Sequence, residues 1–74
     1  MNIHILKKYC IENNITSRRL ALHLNITEAH IYNIWGFRSI PSPKLALRIE
    51  VYTHGEIKAV DLLYPNKNIN TEDL

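Results

Sequence analysis

The stretch ITSRRLALHLNITEAHIYNIWG, from Ile15 to Gly36, writes one short pattern twice. Each copy opens on an isoleucine followed by a threonine, Ile15-Thr16 and Ile26-Thr27. A threonine hydroxyl can accept a free backbone N–H of a first helical turn. Ile15 with Leu20, and Ile26 with Ile31, have the spacing of a hydrophobic staple, in which the residue before the cap packs on one inside the helix. The first copy predicts a helix over Ser17 to Leu24 that stops near Asn25. The second predicts a helix over Thr27 to Trp35, with Glu28 in the first turn, where the helix dipole favours an acid. Its apolar face is Ile31 and Ile34, with Trp35 beside them, and Gly36 is the natural stop.

Two short helices joined through Asn25 to Thr27 have the dimensions of a helix-turn-helix. Ala21 sits where two steeply crossing helices come closest, which demands a small side chain. Asn25, four residues later, occupies the tight turn, which favours a residue that tolerates the left-handed conformation. Ile26, Ile31 and Ile34, with Leu20 and Leu24, then lock the second helix onto the first. Each residue type is common alone; the specificity lies in the register.

Outward from this pair the chain stays helical. Ile3, Leu6 and Cys10, with Ile5 and Tyr9 beside them, predict a first helix from about Asn2 to Glu12, ended by Asn13-Asn14. Downstream, Ser42 is a cap and Pro43 takes the first helical position, where proline is favoured. That helix carries one stripe of Leu45, Ile49 and Tyr52 and a second of Leu47 and Val51, and Gly55 ends it. A short fifth helix is expected from about Glu56 to Leu63, carrying Ile57, Val60, Leu63 and Tyr64, with Pro65 as its stop. No strand-like alternation bounded by hairpin turns appears. The expected fold is therefore all-α, a compact bundle of four or five helices over residues 1–65. Residues 66–74 are polar, lack an apolar period and are expected to be disordered.

Composition narrows the function. A chain of 74 residues makes one domain, and a domain this small buries only about 60% of its unfolded surface. Cys10 is the single cysteine, so no intrachain disulfide can form, which fits a cytoplasmic protein, and core filler is its plainest role. No apolar run approaches the roughly 20 residues of a membrane span, and the Met-Asn-Ile-His start lacks the features of a signal peptide. The net charge of +2 is modest. Its distribution says more: Arg18, Arg19, Arg38 and Lys44 occupy the middle, where acids are scarce, while Glu72 and Asp73 lie near the end. A basic middle suits a polyanion, though it is also an ordinary solvated face.

His4, His23, His30 and His54 show no i,i+4 pair and Cys10 has no partner cysteine, so neither a metal site nor any other cofactor is expected. There is no glycine-rich phosphate loop and no nucleophile–base arrangement. The scattered carboxylates form no pattern for general acid–base chemistry, so no enzyme and no small-molecule substrate are expected. Trp35 and Phe37 could stack on single-stranded nucleic acid; packing of Trp35 between the third and fourth helices is the preferred reading.

Leu20-Ala21, Leu24-Asn25-Ile26 and Ile31 resemble the helix-turn-helix of phage Cro-like repressors. Trp35-Gly36, Arg38, Ile40-Pro41, Arg48-Ile49-Glu50, Thr53-His54-Gly55 and Leu63-Tyr64-Pro65 are similar to the all-helical Cro and YdaS-like antitoxin and regulator group. The resemblance spans about Leu6 to Pro65. Two departures stand out. The usual turn glycine is Asn25, and Trp35 lies one residue later than the family's tryptophan, with Ile34 in its place. The resemblance implies a lambda-repressor-like fold and sequence-specific regulation of transcription, most simply repression in a phage, a prophage or a toxin–antitoxin locus.

If Ile31 and Ile34 face inward, Glu28, Ala29, Tyr32 and Asn33 face outward, with Thr27 near the edge. Thr27, Glu28, Ala29, Tyr32 and Asn33 are the expected base-contacting residues. Asn33 can pair both amide groups with adenine, Glu28 can accept from cytosine N4, and Ala29 can lie on a thymine methyl. Tyr32 could pack on a methyl or donate to a phosphate. Ser17 and Arg18 open the helix whose N-terminus would face the DNA backbone, and Arg38 and Lys44 follow the reading helix; these four are the expected phosphate contacts. The plain alternative for each is a solvated surface residue, with Asn33 and Tyr32 the preferred contacts and Glu28 also explained by the helix dipole. Leu47, Val51, Val60 and Tyr64 either close the core with the fifth helix or form a dimer patch. The expected partner is double-stranded operator DNA with an inverted repeat, bound by a weak homodimer or a dimer assembled on DNA. The alternatives are an antitoxin or other protein-interaction module, and non-specific packaging of nucleic acid.

Overall fold

In the computed structural model, which describes residues 3–64, the chain forms five helices. They are α1 (Ile5–Glu12), α2 (Ser17–Leu24), α3 (Glu28–Trp35), α4 (Pro43–Tyr52) and α5 (Ala59–Leu63), with no strand among the described residues. The expected stop at Pro65 and the expected disorder of residues 66–74 lie outside the described residues.

Local chemistry sets most boundaries. Thr16, Thr27 and Ser42 each accept, through the side-chain oxygen, the backbone N–H of the third residue beyond them. These bonds start α2, α3 and α4 where the sequence places the caps. The first helix begins at Ile5 and not near Asn2. Its cap is His4, whose Nδ1 accepts the Leu6 N–H at 3.0 Å. Histidine is not among the usual capping residues, so the sequence alone does not mark this start.

Four helices end in the same reverse turn, each on a residue in the left-handed region: Asn14, Asn25, Phe37 and His54. In each turn, paired backbone bonds satisfy two carbonyls that the helix end leaves open. For α2 these are Asn25 N–H to Leu22 O and Ile26 N–H to Ala21 O. For α3 they are Phe37 N–H to Ile34 O and Arg38 N–H to Asn33 O. The glycine rule is thus off by one residue at two helix ends. Gly36 has an ordinary φ of −87°, and Phe37, at +61°, carries the left-handed turn. His54 carries it after α4, and Gly55 follows at +81°.

The core is one cluster drawn from every helix. Leu6 and Cys10 of α1 meet Leu20, Ala21 and Leu24 of α2, Ile31 and Ile34 of α3, and Leu45, Ala46 and Ile49 of α4. Ile57 and Leu62 close it, and Ile15, Ile26, Trp35 and Tyr52 pack partly buried around it. Replacing Ile31 or Ile34 by alanine costs about 2–5 kcal/mol, a large share of the roughly 5–15 kcal/mol that holds a small domain folded.

The fifth helix begins at Ala59, later than about Glu56. The intervening residues are held as a turn, in which Thr53 Oγ1 accepts the Ile57 N–H at 3.1 Å and donates to Glu50 O at 3.2 Å. Lys58, at the cap position, makes no capping bond. Glu50 Oε1 accepts the Ala59 N–H at 2.8 Å in its stead. The second stripe of α4 does not close the core, since Leu47 and Val51 are 57% and 76% exposed. Val60 and Tyr64 are exposed too. No helix among the described residues is long and apolar enough to cross a membrane.

Candidate nucleic-acid interface

The geometry of α2 and α3 follows from Ala21, Asn25 and the two buried isoleucines. Ala21 is small enough to let α3 approach, and its carbonyl also closes the turn by accepting the Ile26 N–H at 3.0 Å. Ile31 and Ile34 are fully buried, which fixes the rotation of α3 about its axis. Glu28, Ala29, Tyr32 and Asn33 are consequently exposed along the opposite face. Thr27 is exposed, but its hydroxyl accepts the His30 N–H at 3.1 Å, so that lone pair serves the helix.

Three of the sequence-selected residues meet in one cluster. Ser17 Oγ, at the start of α2, donates to Glu28 Oε2 at 2.9 Å and lies 2.8 Å from the Tyr32 hydroxyl. Tyr32 also approaches Glu28 Oε2 at 3.5 Å. Ser17 can give its one proton to the carboxylate while its oxygen accepts from Tyr32. The N-terminus of α2 is thereby tied to the exposed face of α3. Tyr32 is further braced by Trp35, edge to face at 5.8 Å between ring centroids. Trp35 is half-buried against the core, and its Nε1 and the Ser39 Oγ are buried without a hydrogen-bond partner among the described residues.

A second cluster forms at the other end of α3. Arg38 turns back, donating from Nε to Asn33 Oδ1 at 3.1 Å and from Nη2 to the Tyr32 carbonyl at 3.3 Å. Its charge lies at the helix C-terminus, where the dipole favours a cation. Gly36 makes room for it: a Cβ there would stand 2.6 Å from Arg38 Nη1. The sequence offers Asn33 and Arg38 as separate contacts, and the structure joins them.

Arg18 and Arg19 are exposed on α2, with neither singled out. Lys44 is exposed on α4, where it lines a groove with His23, Leu47, Arg48 and Val51. Phe37, half exposed in its left-handed turn, rests on the buried His4 ring at 5.1 Å. Two further pairs escape sequence reasoning, Ser17 with Glu28 and Phe37 with His4. Both join residues far apart in the chain, so no periodicity reports them. Groups of histidine, cysteine and carboxylates able to hold a metal ion are absent among the described residues.

The chain matches no protein-family model, no curated protein and no solved structure.

Proposed function

We propose that this protein is a sequence-specific regulator that binds double-stranded DNA, with α2 and α3 acting as a helix-turn-helix and α3 entering the major groove. The observation that supports this reading is the split of α3 into two sides. Ile31 and Ile34 anchor one side completely, and Glu28, Ala29, Tyr32 and Asn33 leave the other as a bare polar face. A helix so held can present side chains to base edges without the bundle colliding with the phosphates.

The two clusters refine the roles. Asn33 Oδ1 has a second lone pair, and its amide N–H groups are not used by Arg38. It can therefore still pair with adenine N6 and N7, with Arg38 fixing the plane of the amide. Arg38 in this reading orients Asn33 as much as it attracts phosphate. Glu28, held by Ser17 and Tyr32, can accept from cytosine N4. Thr27 and Ala29 flank these contacts, and Arg18 and Lys44 supply positive charge on either side. One short helix reads few bases, so two copies on an inverted repeat are expected, with centres about 34 Å apart. Occupancy of such a site would block polymerase sterically and so repress transcription.

A second reading is favoured by the four exposed apolar residues Leu47, Val51, Val60 and Tyr64. A protein-interaction module, such as an antitoxin that binds a toxin, would use these and leave α3 idle. Selection from random duplex DNA at near-physiological salt separates the two. Enrichment of an inverted repeat, with Asn33→Ala weakening binding by about 1–3 kcal/mol and relaxing one position, supports the regulator. Equal binding of all duplexes, or none, overturns it.

A further inference from the structure

The groove between the C-terminal end of α2 and the outer side of α4 has a volume of about 410 Å³. Leu47, Val51 and Tyr52 give it an apolar floor, and His23, Lys44 and Arg48 give it a basic rim. The His23 ring leans on the Tyr52 ring at 5.3 Å between centroids, which ties α2 to α4 there. No acid among the described residues lines the groove, and Glu50 of α4 is committed to the Ala59 N–H. Neither Lys44 nor Arg48 has a hydrogen-bond or ion-pair partner among the described residues. Leu47 and Val51 thus lie exposed beside two uncompensated cations.

The spacing of these residues selects the occupant. Lys44 and Arg48 stand four residues apart on α4, and so do Leu47 and Val51. Each pair repeats after about 6 Å along the helix axis, so a cationic row runs beside an aliphatic row. A duplex would engage the cations through its phosphates and leave the aliphatic row in water. A second copy related by a two-fold axis through the groove would gather the Lys44 and Arg48 of both chains at one contact, which is repulsive. A helix that carries aliphatic side chains and carboxylates, each repeating at the same one-turn interval, satisfies both rows together. We propose that this groove docks an acidic amphipathic helix of a partner protein, with its aliphatic side chains against Leu47 and Val51 and its carboxylates facing Lys44 and Arg48. Docking covers apolar surface that the fold leaves in water, and the cations exclude basic helices. The inference gives the protein-interaction reading a surface and a partner chemistry, and it does not depend on α3 binding DNA.

The test is a nuclear magnetic resonance titration of the full chain, free of DNA, with a blocked alanine-based peptide of about 15 residues, long enough to form a helix. The peptide carries two leucines four residues apart and two glutamates four residues apart on one face. Shifts should concentrate at the amides of His23, Lys44, Leu47, Arg48 and Val51. A scrambled peptide of the same composition, and one with lysine in place of glutamate, should each bind at least about fivefold more weakly. Leu47→Ser should weaken the acidic peptide about tenfold. Lys44→Glu with Arg48→Glu should reverse the preference, so that the lysine peptide binds the tighter. These changes fall on exposed side chains, and unaltered amide positions in the core show that the fold is kept. No binding, equal binding of the ordered and scrambled peptides, shifts spread over the surface, or a preference unmoved by the charge reversal overturns the proposal. So does a random-sequence duplex that shifts these amides where the acidic peptide does not, since the groove is then a phosphate surface.

Discussion

Arg38 lies across Gly36 and donates through Nε to Asn33 Oδ1 at 3.1 Å. The contact joins a cation outside α3 to an amide on its exposed face, and the missing side chain of Gly36 permits it. Gly36 therefore matters for what passes over it and not for its backbone angles, which any residue can adopt. At the other end of the helix Glu28 is fixed by Ser17 in the same manner. Both ends of the candidate reading face are pre-arranged before any partner arrives, and that reduces the ordering a partner must impose.

Gly36→Ala separates this arrangement from stability. Its Cβ would displace the Arg38 guanidinium, whose flexible end can move away. The expected change in unfolding free energy is within about 1 kcal/mol, because the entropy gained from restricting the unfolded chain offsets exposed hydrogen bonds of modest worth. The Arg38 Nε–H and Asn33 side-chain amide resonances should shift together. Unchanged resonances would show that the two groups are not paired in solution.

His54→Gly should stabilise the fold. His54 is exposed, holds φ of +54° and closes the turn after α4. The left-handed conformation costs an L-residue about 1–2 kcal/mol, part of which glycine returns as unfolded-state entropy. A net gain of about 0.5–1 kcal/mol is expected, read as a higher urea midpoint at unchanged slope. The same change at Phe37 should gain less, since it also removes the ring packed on His4.

Much of this was legible in the sequence where a single residue carries a single task. Thr16, Thr27 and Ser42 mark helix starts because a hydroxyl before an apolar period has one obvious use, and Asn25 marks its turn for the same reason. The inward faces of α2, α3 and α4 follow from periodicity. What escaped depends on competition. His4 caps α1 with a ring nitrogen, and its burial selects it for a task the sequence would give to serine or aspartate. Phe37 and His54 take left-handed turns beside glycines because the paired backbone bonds fix the position of the turn, whichever residue stands there. On the candidate interface, the outward residues were readable from Ile31 and Ile34, but the Ser17–Glu28 and Arg38–Asn33 pairs were not, since they depend on the path of a side chain across a turn.

Glu50 acts as a remote cap for α5, and Glu50→Ala should release that helix. Its carboxylate accepts the Ala59 N–H that Lys58 leaves open. Loss of a cap costs about 0.5–2 kcal/mol, and faster amide hydrogen exchange should be confined to Ala59–Leu63. Glu50→Gln retains an acceptor oxygen and should lose only part of this. Equal protection of α5 in Glu50→Ala and the parent protein would show that Leu62 alone holds the helix.

Stability should fall as the pH drops below the ordinary histidine value, and His4 should carry a measurable share of that loss. His4 is buried, and burial lowers its pKa from 6.5. Its Nδ1 must also stay unprotonated to accept the Leu6 N–H. Above pH 6.5 the ring is neutral in both folded and unfolded chains, so its contribution is complete. Below that value the unfolded chain takes up the proton first, and stability drains away until the folded ring protonates as well. His4→Asn supplies a good capping residue that does not titrate, at the cost of the ring contact with Phe37. The variant should be less stable at pH 7 and lose less between pH 7 and 5, as measured by urea midpoints. An equal decline in both proteins would move the pH dependence away from His4.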